Sequence, residues 1–195
     1  MVQETATPRD RLLAAASEYI AAHGLSDMTL RGLAAGIGTS HRMLIYHFGS
    51  KQQLLVEVIK MVEQRQRAAL AELEHEASAS PAALARAFWR RLSSPDLDAN
   101  ERLFFEICGQ ALQGRPGTAA LLEGIVDAWL APVVELLDRL GFPSEHAAAH
   151  ARLGVAVTRG LLLDLLATGD RNACDAAMEQ YIRISDAFLS GLEDQ

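Results

Sequence analysis

The chain has 195 residues, half of them hydrophobic but only 6% aromatic, and a formal net charge of −7. That length can bury one large core or two modest ones, and an alanine- and leucine-rich composition suits packed helices. Two cysteines are too few for a disulfide framework, and there is neither a run of about eighteen apolar residues nor a basic-then-apolar leader, so the expectation is a soluble, cytoplasmic protein with no membrane partner.

In chain order, residues 1–6 show no pattern and read as a mobile tail. Thr7-Pro8-Arg9-Asp10 opens a first helix, with threonine as cap, proline at the first helical position and a carboxylate three residues after the cap. Its buried stripe is Leu12, Leu13, Ala16, Tyr19 and Ile20, and Gly24 ends it. From Thr29, the spacing of Leu30, Leu33, Ala34 and Ile37 predicts a short second helix, and Leu44 with Phe48 marks one face of a third. Gly38 between them permits the left-handed backbone of a sharp turn, Ser40 is placed to cap the third helix, and Ala34 is small enough for the two helices to cross closely. This is a helix-turn-helix pattern. The outward residues Thr39, Ser40, His41, Arg42, Tyr46 and His47 all form hydrogen bonds and none is acidic, which suits a helix set against phosphates and base edges in a major groove.

Ser50-Lys51-Gln52-Gln53 reads as a capping box for a fourth helix, whose amide-rich start with Lys51 is a ready phosphate site. With no Gly or Pro before Pro81 it can run to about Glu76, roughly 40 Å at 1.5 Å per residue. Further helices are expected from Pro81 to about Leu92, from Asp98 to near Gly114, and from Thr118 to Leu140, the last kinked or split at Pro132. Gly141-Phe-Pro143 is a turn; Ser144 should cap a helix reaching about Ala167, and Asn172 one reaching about Leu192. No strand signal or internal repeat is visible. Residues 1–60 hold six Lys and Arg against five Asp and Glu, net +1, and residues 61–195 hold twelve against twenty, net −8. The acidity belongs to the distal part and leaves the helix-turn-helix nearly neutral, with its cations where DNA would lie.

The run Leu44-Ile-Tyr-His-Phe-Gly-Ser-Lys51, preceded by Gly38-Thr-Ser40 and by Thr29 at a helix start, resembles the DNA-binding domain of the tetracycline-repressor (TetR) family over roughly residues 8–60. The resemblance implies an all-α fold: a helix-turn-helix DNA-binding domain at 1–50, joined by the long fourth helix to a ligand-binding and dimerisation domain at 51–195. It implies that Thr29, Thr39, Ser40, His41, Arg42, Tyr46, His47 and Lys51 touch double-stranded DNA. Arg42 would read a base, and Thr29, Tyr46, His47 and Lys51 would hold phosphates. Two positions depart from the family: Ile45 stands where it usually has a tyrosine, and Gly36 where it usually has a polar helix former, which should weaken that helix by up to about 1 kcal/mol.

From Leu153 to Ala167 the chain is apolar nearly all round, including Val157 and Leu161, so that helix must be buried on more than one side. The last helix adds a stripe at Ala177, Tyr181, Ile184 and Phe188. Two such helices meeting their copies about a two-fold axis would make a four-helix bundle and a homodimer, as the resemblance also implies. Phe88, Trp89, Phe104, Phe105 and Trp129 supply the distal aromatics. The resemblance implies a cavity for a small apolar or aromatic effector among them and Cys108, with Arg159, Glu106 or Asp164 as orienting groups.

His146 and His150 have metal-ligand spacing but no third ligand of matching spacing, so no metal is expected. No phosphate loop, nucleophile elbow or Cys-x-x-Cys pair is present, and no cofactor or catalysis is expected. The sequence therefore reads as a homodimeric transcriptional repressor released by a small effector. The alternative is a helical small-molecule sensor or protein-interaction module whose DNA binding is weak or lost.

Overall fold

The computed structural model describes residues 7–24, 28–76, 80–139 and 141–193, with side chains at 74–76 and 189–193 excepted. Residues 1–6, read above as a mobile tail, lie outside them. Ten α-helices appear among the described residues: α1 Pro8–His23, α2 Leu30–Gly36, α3 His41–Phe48, α4 Lys51–Glu76, α5 Pro81–Leu92, α6 Asp98–Leu112, α7 Ala119–Leu122, α8 Asp127–Arg139, α9 Ser144–Thr168 and α10 Arg171–Glu193. A single 3-10 turn, Pro95–Leu97, precedes α6, and no strand occurs among the described residues.

The chain forms two compact units, residues 1–64 with 99–123, and residues 65–98 with 124–195. The domain boundary expected between residues 50 and 51 falls inside the first unit, at the start of α4. In that unit α1 begins with the reciprocal cap read from the sequence: the Asp10 amide donates to Thr7 Oγ1 at 3.2 Å and the Thr7 amide to Asp10 Oδ2 at 3.1 Å. The Thr7 hydroxyl, which donates to Asp10 Oδ2 at 2.6 Å, and the Thr7 amide together hold the Asp10 carboxyl below its usual range. Leu13, Ala16, Ile20, Leu33, Ala34, Leu44, Phe48, Leu54, Leu55 and Val58 are all buried. Arg9 ties α1 to α4 through Glu57 at 2.7 Å, with its guanidinium over the Phe48 ring.

Gly36 has a reason that the sequence did not show. A Cβ there would lie 2.2 Å from Tyr19 Cε2, so the glycine is the seat of the Tyr19 ring, which stacks in turn on His23 at 4.1 Å. The helix gives up intrinsic propensity and gains a close α1–α2 crossing.

The second unit has its own apolar core of Leu70, Leu84, Trp129 and Leu136, flanked by Leu73, Phe88, Val133 and Val155. Helices α5 and α10 run antiparallel and are tied at successive turns. Arg86 donates to both oxygens of Glu179 at 2.7 and 2.8 Å, Trp89 Nε1 to Asp175 Oδ1 at 2.7 Å, and Arg171 to the hydroxyl and carbonyl of Ser93. The Arg86 bonds lower the Glu179 carboxyl.

Three expectations are corrected. The segment from Thr118 to Leu140 is divided not at Pro132 but at residues 123–126, where Gly124 adopts φ +72°; Pro132 sits inside α8 without ending it. The new helix is started by the Ala128 amide, bonded to the Gly124 carbonyl at 2.8 Å. Ser144 is the first residue of α9 rather than its cap: Pro143 holds the cap position and makes no side-chain bond. Asp170, not Asn172, caps α10, accepting the Ala173 amide at 3.0 Å.

Candidate nucleic-acid interface

The surface that could meet DNA is built by local capping chemistry. Thr29 opens α2 by accepting the Gly32 amide at 3.0 Å, and Ser40 opens α3 by accepting the Met43 amide at 3.2 Å. Gly38, at φ +70°, makes the turn between them, a backbone that a side chain would strain. Gly49, at φ +76°, ends α3, and its amide bonds the Ile45 carbonyl at 2.8 Å. Ser50 then starts α4 by accepting the Gln53 amide at 3.1 Å.

With Leu44 and Phe48 buried, the rotation of α3 is fixed and its other side chains are sorted. Thr29, Ser40, His41 and Arg42 are exposed, Thr39 is half-buried, and Tyr46 stands out at 78% exposure. The first turn of α3 holds no acidic residue to repel phosphate. Lys51 is half-buried, its ammonium donating to the Met28 carbonyl at 2.5 Å, just before α2. His47 is also half-buried: its ring meets Tyr46 edge-on at 4.9 Å, and its Nε2 is out of solvent with no hydrogen-bond partner.

Met43 and Ile45, 40% and 38% exposed, and Arg31 on α2 share this open surface and were absent from the expected contacts. Their signal was positional: Met43 lies three residues after Ser40 and three before Tyr46. Its apolar side chain carries no hydrogen-bonding signal.

The residues expected around an effector fall in both units. In the first, Phe104 is buried and Phe105 half-buried, with rings 5.2 Å apart and nearly perpendicular, and Cys108 is half-buried on the same helix. In the second, the Phe88 and Trp129 rings lie 5.8 Å apart, Trp89 is buried with its indole bonded to Asp175, and Arg159 is half-buried. Glu106 and Asp164, expected as orienting groups, are exposed.

On the second unit α9 and α10 each leave an apolar face open. Leu153 and Leu163 are 51% and 50% exposed, and Ala149, Ala156, Gly160 and Ala167 lie at helical spacing beside them. On α10, Ile184 and Phe188 are 58% and 43% exposed, in line with exposed Ala177. Val157, Leu161 and Tyr181 are half-buried. His150 lies against Phe142 at 4.7 Å, parallel to Phe188, with Nε2 3.5 Å from the Tyr181 hydroxyl; burial lowers its pKa. Gly154 makes room for that hydroxyl. Among the described residues no three His, Cys, Asp or Glu side chains gather as a metal site, and no helix is long and apolar enough to cross a membrane.

Residues 12–58 match the family described as bacterial regulatory proteins, tetR family. No curated protein matches the chain. Solved structures that share its fold include the following three. A transcriptional regulator from Rhodococcus sp. Rha1 has a TM-score of 0.73 at 21% identity, over 91% of this chain and 95% of that one. A TetR transcriptional regulator from Legionella pneumophila has 0.70 at 19%, over 94% and 99%. Thermus thermophilus FadR, a TetR-family transcriptional repressor in complex with lauroyl-CoA, has 0.63 at 17%, over 90% and 92%.

Proposed function

From the match of residues 12–58 to the bacterial regulatory proteins of the tetR family, and from the fold shared with solved regulators, we propose that the chain is a cytoplasmic, homodimeric transcriptional repressor released from DNA by a small apolar or aromatic effector. The observation that carries the reading is the outer face of α3, open, acid-free and dense in hydrogen-bonding groups. Arg42 reads a base edge, most economically guanine by a bidentate pair. Thr29, Thr39, Ser40, His41, Tyr46, His47 and Lys51 supply the remaining contacts, mainly to phosphates, and Met43 is placed to meet a thymine methyl.

Residues 1–50 form the DNA-binding division and residues 51–195 the ligand-binding and dimerisation division. The open apolar faces of α9 and α10 support a two-fold four-helix contact, centred on Leu153, Leu163, Ile184 and Phe188 and flanked by Val157, Leu161, Ala177 and Tyr181. A dimer of this kind reads two half-sites about 34–36 Å apart, hence a near-palindrome. FadR holds lauroyl-CoA; here the aromatics Phe88, Trp89 and Trp129 of the second unit, with Arg159, and Phe104, Phe105 and Cys108 of the first are the candidates for effector contact. An effector that prefers the arrangement with badly spaced recognition helices draws the population away from DNA, and a coupling of about 1–3 kcal/mol is enough. No step of this scheme calls on catalysis or a cofactor.

The test is a gel shift of the purified chain against the DNA upstream of its own coding region, at low and at physiological salt, beside a random duplex. Selective, salt-sensitive retardation of the upstream DNA is expected. Equal retardation of both duplexes, or none at low salt, rejects the regulator and favours the small-molecule sensor.

A further inference from the structure

In the first unit the segment at 113–118, between α6 and α7, rests on the first turn of α4. Its closest point is Gly117, at φ +82°, where an added Cβ would lie 3.3 Å from Gln52 Cβ, 3.6 Å from Ser50 Oγ and 3.9 Å from Gln53 Cγ. Glycine lets the backbone close onto that turn. The turn itself follows α3 directly. α3 has eight residues, about 12 Å at 1.5 Å per residue, and a major groove is about 12 Å wide. With α3 in such a groove, Ser50 and the segment seated on it lie beside the phosphates that border it.

Three features single out Arg115 in this segment. Its backbone is held on both sides: the amide donates to the Gln110 carbonyl at 3.0 Å, and the carbonyl accepts from the hydroxyl of fully buried Thr118 at 2.6 Å. Its side chain is exposed and, among the described residues, has no hydrogen-bond or ion-pair partner. Finally, no acidic residue occurs from 107 to 122 or from 28 to 56, so neither side of this corner repels phosphate. Glu57, the first carboxylate along α4, is already paired with Arg9 at 2.7 Å. Lys51, at the start of α4, is half-buried with its ammonium on the Met28 carbonyl. Arg115 is therefore the charge that this corner turns outward.

We propose that Arg115 is a DNA-phosphate contact supplied from outside the amino-terminal domain, holding the backbone that flanks each half-site. The inference rests on the reading under "Proposed function" and extends its contact surface past residues 1–50 to the α6–α7 segment. A phosphate contact positions the protein but carries no sequence information. Arg115 thus adds affinity and salt dependence alike on every duplex, which separates its role from that of Arg42.

The experiment measures, by fluorescence anisotropy, binding of the full-length chain and of Arg115→Gln to the upstream duplex and to a random one, between about 50 and 200 mM salt. The plot of log K against log salt should be shallower in Arg115→Gln by about 0.9 for each half-site, about 1.8 for a dimer. Binding at the lower salt should be severalfold weaker on both duplexes, and Arg115→Lys should keep the parental slope. A methylphosphonate, which removes one backbone charge, is then walked along the flank of the upstream duplex. One position per half-site should weaken the parent chain severalfold and leave Arg115→Gln unchanged. Should Arg115→Gln also melt earlier, this contrast still decides, because a misfolded chain loses affinity at every position alike. A parental slope in Arg115→Gln, a loss confined to the upstream duplex, or no methylphosphonate position that distinguishes the two proteins overturns the contact and leaves the regulator standing. A parent chain that binds neither duplex at low salt overturns both.

Discussion

Gly36→Ala puts a methyl group where the Tyr19 ring now lies. The added Cβ would meet Cε2 at 2.2 Å and Cδ2 at 2.8 Å, far inside contact distance, so the ring must swing away or α1 and α2 must separate. Either response breaks the Tyr19–His23 stack at 4.1 Å. Overpacking of this kind typically costs about 1–3 kcal/mol, whereas alanine in place of a helical glycine returns up to about 1 kcal/mol. The net expectation is a destabilisation between about 0 and 3 kcal/mol, centred near about 1.5 kcal/mol. Both tryptophans, Trp89 and Trp129, belong to the second unit, so urea unfolding is better followed by far-ultraviolet circular dichroism than by fluorescence. The decisive measurement is the double-mutant cycle. In a Tyr19→Ala background the obstruction is gone, and Gly36→Ala should turn stabilising, by up to about 1 kcal/mol. If the glycine substitution has the same sign with and without the tyrosine ring, steric seating is not why glycine stands there.

Arg42→Ala should cost about 1–3 kcal/mol on the cognate operator and relax sequence preference there; equal loss on cognate and random duplexes in a filter-binding assay refutes base reading. Leu163→Arg or Ile184→Glu places a charge on the open α9–α10 face and should halve the mass seen by analytical ultracentrifugation, and an unchanged dimer would move the interface elsewhere. Burial holds the His150 pKa below the ordinary histidine value, so the unfolded chain takes up that proton more readily. Its contribution is whole above about pH 6.5 and is lost as pH falls below that toward the folded value. His150→Phe should therefore flatten the fall in melting temperature on mild acidification; an identical slope in both proteins shows that other groups govern it.

The helix-turn-helix was legible because its signals are local. A hydroxyl that bonds an amide three residues on, and a glycine at positive φ, act within a few positions, and Thr29, Gly38, Ser40 and Ser50 do what their residue types announce. Where two local signals competed, sequence could not rank them. Asp170 and Asn172 are both good caps two residues apart, and Gly124 broke a segment in which Pro132 looked the stronger interruption. What depends on distant residues was hidden. His47 reads as one more outward hydrogen-bonding side chain until the burial of Leu44 and Phe48 fixes the turn of α3 and draws its Nε2 inward. Gly36 reads as a weakness until Tyr19 is seen across it. The distal aromatics share a composition but belong to two compact units, a division no periodicity encodes.

The rungs between α5 and α10 set a limit on how the second unit can deform. Because Arg86, Trp89 and Ser93 meet Glu179, Asp175 and Arg171 in step along both helices, sliding one past the other by a turn, about 5.4 Å, would mismatch every rung at once. The pair behaves as a ladder, able to swing as a whole or to separate but not to creep. A signal that reaches α10 from its open face must therefore arrive at α5 as a tilt.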